Sequence, residues 1–224
     1  MNKTERKSVF FGVLTPYLVG KGYTPFLSGG DPTYVLNTNN NLVVHFFFNF
    51  YSSGMIGVAP MFLTHYDIED YILRIGIPTN DLIQSKKKEK YHLPTIKFSD
   101  LPDSLNERIL ETQKEAEDFA TSYISYIENE GKAFIERYSF LPNVLAEMDR
   151  LESEGEDWNG ILSGMGDRLF RGVIISKLCN DPNFQKKMNY CEMKFTTVQL
   201  LEEWQPYWSK LKEVLPSIKP KYNL

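Results

Sequence analysis

A chain of 224 residues with 42% hydrophobic and 14% aromatic side chains carries enough apolar surface for one large core or two modest ones, which argues against a disordered chain. Its 25 basic and 29 acidic residues leave a net charge of −4, against the basic face of a nucleic-acid binder, so no nucleic acid is expected as a partner. Cys179 and Cys191 are the only cysteines, which excludes a disulfide framework and suits the reducing cytoplasm; no stretch approaches the ~18 consecutive apolar residues of a membrane span.

The chain opens with Lys3, Arg6 and Lys7 ahead of an apolar run from Val9 to Val19, two features of a secretory signal. No small-residue cleavage site follows, because the chain continues Gly20-Lys21-Gly22-Tyr23-Thr24-Pro25. A core helix is the better expectation, since Phe10, Val13, Leu14, Tyr17 and Leu18 recur at spacings of three and four. Thr4 begins it, and Gly20 or Gly22 ends it. Pro16 is expected to kink or stop it early, an internal proline costing ~3 kcal/mol where nothing compensates.

Tyr34 to Thr38 reads as a strand between two clusters of turn formers, Ser28 to Pro32 and Asn39 to Asn41. The clearest strand is "LVVHFFFNFY". Leu42, Val44, Phe46, Phe48 and Phe50 form a core face, and Val43, His45, Phe47, Asn49 and Tyr51 form a mixed one. Ser52-Ser53-Gly54 turns the chain into "MIGVAPMFLTHY", an antiparallel partner in which Gly57 and Pro60 mark an edge or a bulge. Asp67 is placed to cap a short helix, Ile68 to Ile75, closed by Gly76.

Residues 77–103 form a polar connector, with "KKKEK" at 86–90 read as a solvated loop and Ile96 and Phe98 as a further strand. Ser104-Leu105-Asn106-Glu107 has the pattern of a capping box and is expected to open a scaffold helix of about nine turns, its stripe running from Ile109 to Ile135 with a break at Gly131. Further helices follow from Pro142, from the stripe of Leu169, Phe170, Val173, Ile174 and Leu178, and from the pair Asp181-Pro182. Thr197 is expected to open a last helix burying Leu200, Leu201, Trp204, Trp208 and Leu211. These elements make an α+β fold: a small antiparallel sheet with an N-terminal helix, followed by a helical C-terminal half. The segments are 1–76, 77–103 and 104–224, the last able to pack on the sheet as one domain.

No catalytic constellation emerges. "VGKGYT" lacks the earlier glycine and the hydroxyl residue of a phosphate loop, Thr15 and Gly22 standing in their places. Gly164 and Gly166 lack the third glycine of a dinucleotide fingerprint and read as a tight turn into a helix. Ser163 has Ile161 where a nucleophile elbow needs glycine. The cysteines sit in apolar stripes as small hydrophobes, and three histidines offer few metal ligands. No cofactor and no metal are expected.

What remains is surface. The mixed strand face offers His45, Phe47, Asn49 and Tyr51, and His65 on the neighbouring strand completes the polar set of a candidate ligand pocket. The acidic run Glu152, Glu154, Glu156 and Asp157 is a second candidate contact, for a basic partner.

The first helix ending in "GKGYTPF", followed by strands that cross "NTNNN", resembles bacterial domain families of which some sit beside polymorphic toxins as candidate immunity proteins. The likeness covers residues 4–75 in layout, has no diagnostic motif and carries no functional residue onto this chain. The missing catalytic constellation, the acidic charge and the mixed sheet face lead to the expectation of a cytoplasmic, non-catalytic protein-binding protein, toxin-neutralising or adaptor. The competing expectation is an enzyme or small-ligand binder with its pocket between sheet and helices. A homo-oligomer is compatible with either.

Overall fold

The computed structural model describes residues 1–27, 31–38, 41–58, 60–78, 93–98 and 101–223. The expected turns at Ser28 to Gly30 and Asn39 to Asn40, the "KKKEK" run and His92 lie outside the described residues. Helix α1 spans Lys3–Gly20 and is opened by Asn2, not Thr4, in a reciprocal capping box with Glu5. Pro16 sits inside α1 without ending it. Gly12, whose carbonyl loses its partner there, is exposed, so water can donate in place of the missing amide.

Among the described residues seven strands follow: β1 (Thr24–Leu27), β2 (Pro32–Asn37), β3 (Leu42–Phe50), β4 (Met55–Val58), β5 (Met61–His65), β6 (Ile96–Phe98) and β7 (Arg108–Ile109). Their order is β1-β2-β3-β4-β7, with β5 pairing β3 and β6. The registers of β1 with β2, β2 with β3, β3 with β4 and β4 with β7 are antiparallel, Tyr34 lying opposite Phe46 and Asn49 opposite Gly57. The expected partner of β3 divides into β4 and β5, as Gly57 and Pro60 foreshadow. The turn from β3 to β4 needs Gly54 at φ 86, where a side chain would also strike the Arg6 guanidinium.

Helix α2 spans Tyr66–Ile75, and α3 Gln113–Tyr126 continues through a π-helical segment, Ile127–Gly131, into α4 Lys132–Tyr138. The capping box of α3 is made by Thr112 and Glu115 and not by Ser104 and Glu107. Both pairs satisfy the same local pattern, but Arg108–Ile109 is taken up as strand β7, which moves the helix start downstream. Then come α5 Leu141–Ser153, α6 Asp167–Leu178, α7 Phe184–Thr197 and α8 Gln205–Val214. Thr197 ends α7 instead of opening the last helix, and a 3-10 segment, Gln199–Trp204, leads into α8. That segment turns every three residues, so Leu200 leaves the buried stripe and stands 77% exposed.

Two compact units divide the chain, Met1–Leu63 with Phe98–Glu136, and Thr64–Lys97 with Arg137–Leu224. Each unit draws on chain from before residue 77 and from after residue 103. In the first unit the inner sheet face packs on α1 and α3. Phe10 meets Phe48 edge-on at 4.9 Å between ring centroids, and Tyr123 meets Phe48 at 4.9 Å and Phe46 at 5.5 Å. Such pairs contribute ~0.5–1.5 kcal/mol each beyond their buried area. In the second unit α6 is buried along almost its whole length, and Phe170, Phe195, Trp204 and Trp208 form an aromatic cluster around it. Among the described residues no helix is long and apolar enough to cross a membrane.

Candidate functional site

The period of two in β3 sends Phe46, Phe48 and Phe50 inward and leaves Phe47 and Asn49 facing outward, with Tyr51 just beyond the strand. Phe47 is 36% and Tyr51 41% exposed. Phe47 stacks on Phe62 of β5, centroids 5.9 Å apart and planes 15° from parallel. The Tyr51 ring reaches Gly57 of β4, where an added Cβ would lie 3.1 Å from Tyr51 Cε2 and 2.8 Å from Glu107 Oε1. Glycine is thus required opposite Asn49 for the tyrosine to approach the sheet. His45, two residues before Phe47, is only 3% exposed and packs against Phe62 at 5.4 Å. The outer face therefore divides into a buried end at Val35 and His45 and an open aromatic end at Phe47, Asn49 and Tyr51.

His65 belongs to the second unit and serves its interior. Its backbone N–H donates to Thr95 Oγ1 at 2.8 Å, and its Nε2 lies 3.0 Å from the carbonyl oxygen of Tyr138. A carbonyl only accepts, so the proton resides on Nε2. Burial pushes its pKa down to about 4, against the smaller opposing pull of the Tyr138 carbonyl and Asp67.

The acidic run is largely engaged within the chain. Glu152 accepts from Trp158 Nε1 at 3.1 Å and pairs with Lys186 at 3.0 Å, and Glu154 pairs with Arg150 on α5. Asp157 accepts from Arg168 Nε at 2.8 Å, from the Tyr190 hydroxyl at 3.1 Å and from the Asn159 amide at 3.0 Å. Burial alone would raise the pKa of Asp157; the Arg168 and Asn159 hydrogen bonds outweigh it and bring the group down to about 2. Glu156 is exposed.

One buried polar cluster escaped the sequence reading. Arg171 on α6 donates through Nε and Nη2 to both oxygens of Glu69 on α2, and through Nη1 to Asp167 at 2.5 Å and the Ser163 carbonyl at 2.8 Å. Thr95 completes it, donating to Glu69 Oε1 at 2.7 Å. The local signal was an arginine and an aspartate four residues apart in an apolar helix; the second carboxylate comes from a distant segment. With its donors spent on protein acceptors the cluster is a clamp between α2, α6 and the bend at Thr95 that leads into β6. A second such clamp holds Lys187, its side chain fully buried, between Asp149 at 2.5 Å and Asp181 at 2.9 Å.

Cys179 and Cys191 are buried thiols whose pKa values burial raises, that of Cys179 to about 12. Among the described residues no three His, Cys, Asp or Glu side chains are grouped so as to hold a metal ion. Comparison with family models, with curated proteins and with solved structures gives no match.

Proposed function

We propose that this chain is a non-catalytic protein-binding protein and that the open end of the outer sheet face, at Phe47, Asn49 and Tyr51, is its contact surface. The observation that carries this reading is the exposure of two aromatic rings, 36% at Phe47 on β3 and 41% at Tyr51 just beyond it, where the alternate residues Phe46, Phe48 and Phe50 are buried. Aromatic side chains supply large contact area at low entropic cost, and they concentrate where partners bind. The finer form, a cytoplasmic toxin-neutralising or adaptor role, rests on the layout resemblance and the net charge of −4. The test is affinity capture from the native host by the wild-type chain and by a Phe47→Ser, Tyr51→Ser double variant. A stoichiometric partner lost in the variant, with thermal unfolding unchanged, supports the reading; a partner retained in full by the variant overturns it.

A further inference from the structure

Within the second unit, α2 presents Asp67, Asp70, Tyr71 and Arg74 at spacings of three, one and three, a single stripe of the helix. That stripe and Ser217, Lys219 and Lys221 of the C-terminal tail line one cleft of about 350 Å³. The volume falls in the range of small-molecule sites, ~300–1,000 Å³, but the lining is mainly charged, which selects a small ionic ligand over an apolar one.

The charges are unequally engaged. Asp67 pairs with Lys221 at 2.5 Å, so those two neutralise each other. The Arg74 guanidinium lies over the Tyr71 ring, 5.5 Å from its centroid. Among the described residues no carboxylate lies within ion-pair distance of Arg74 or Lys219. A guanidinium steadied by a ring face keeps its N–H fork for an external acid. Asp70, one turn before Arg74, opposes a bare anion there; it already has a partner within the chain, but a carboxylate accepts several hydrogen bonds and can receive an ammonium group besides.

We propose that this cleft binds a small zwitterion of the amino-acid type, its acidic group at Arg74 and Lys219 and its ammonium group toward Asp70. The site is separate from the proposed protein-contact surface and does not depend on it. Two probes that differ only in the ammonium group test it, 4-aminobutanoate and butanoate, titrated into the full chain by NMR at concentrations around ~1 mM. 4-Aminobutanoate is expected to saturate and to bind more tightly than butanoate. Arg74→Gln, at an exposed position, should weaken both about tenfold, and Lys219→Gln should weaken both to a lesser degree. Asp70→Asn should weaken 4-aminobutanoate and strengthen butanoate. Absence of saturation by 4-aminobutanoate, indifference to Arg74→Gln, or failure of Asp70→Asn to move the two probes in opposite senses overturns the proposal.

Discussion

Arg171 and Glu69 stand 102 residues apart in the chain and meet as a two-pronged ion pair, Nε to Oε1 at 2.7 Å and Nη2 to Oε2 at 2.9 Å, with side chains 1% and 0% exposed. Breaking such a pair from one side strands a charge in the interior. Glu69→Gln and Arg171→Met should each lower unfolding free energy by about 3–5 kcal/mol in urea titration. The double variant Glu69→Leu, Arg171→Met should recover much of the loss. Additive losses in the double variant would mean that the pair itself, and not the stranded charge, supplies the stability.

His65 makes stability depend on pH in a defined window. The folded-state pKa, about 4, lies below the ordinary value of 6.5, so the unfolded chain takes up the proton first. Its contribution is complete above pH ~6.5 and is lost as pH falls toward about 4, a total of about 3 kcal/mol. Asp157, with its pKa lowered to about 2, weakens the fold only at lower pH still, from below its ordinary value of 3.8. Unfolding free energies between pH 7 and pH 4 check this, and a His65→Gln variant should flatten that part of the curve.

Two glycines in or beside helices should respond oppositely to alanine. At Gly12, in the exposed middle of α1, an added Cβ meets nothing within 4 Å, so Gly12→Ala should stabilise by about 0.5–1 kcal/mol. At Gly166, just before α6, the same atom would fall 2.2 Å from Trp204 Cδ2, so Gly166→Ala should destabilise by about 1–3 kcal/mol. Thermal unfolding of the two variants side by side settles both signs.

Tyr123 is fully buried among Phe46, Phe48 and Tyr126, and its hydroxyl has no hydrogen-bond partner among the described residues. An orphaned buried hydroxyl is a cost, ~1–3 kcal/mol. Tyr123→Phe should therefore leave stability unchanged or raise it by about 1 kcal/mol, whereas Tyr123→Ala should cost about 3–5 kcal/mol through the cavity it opens. A marked loss in Tyr123→Phe would show that the hydroxyl is satisfied in solution.

Periodicity made the aromatic core face of β3 and the buried stripes of α5 and α6 readable, because burial of one face imposes a period of two or 3.6 directly on the sequence. Choices between equivalent local signals were not readable. Ser104 with Glu107 and Thr112 with Glu115 are both capping boxes, and the sheet edge decides by recruiting Arg108–Ile109. Leu200 was misplaced because the change of pitch at Gln199–Trp204 leaves no composition signature. For the candidate surface, alternation put Phe47, Asn49 and Tyr51 on the outer face, yet it could not show that His45, on that same face, is covered. Arg171 stayed hidden for a related reason: its partner Glu69 is local only in three dimensions.

The interleaving of the two units has a consequence for synthesis on the ribosome. The apolar residues Ile68, Ile72 and Ile75 of α2 are made early, but α6, against which α2 packs, begins only at Asp167. At ~5–20 residues per second, about ninety intervening residues keep that stripe waiting for roughly 5–20 s. The first unit is complete once Glu136 has emerged, while Thr64–Lys97 still lacks the rest of its own unit. Until α6 emerges, the apolar stripe of α2 lacks the helix it packs on, and any chaperone or protease at the exit tunnel meets it in that state.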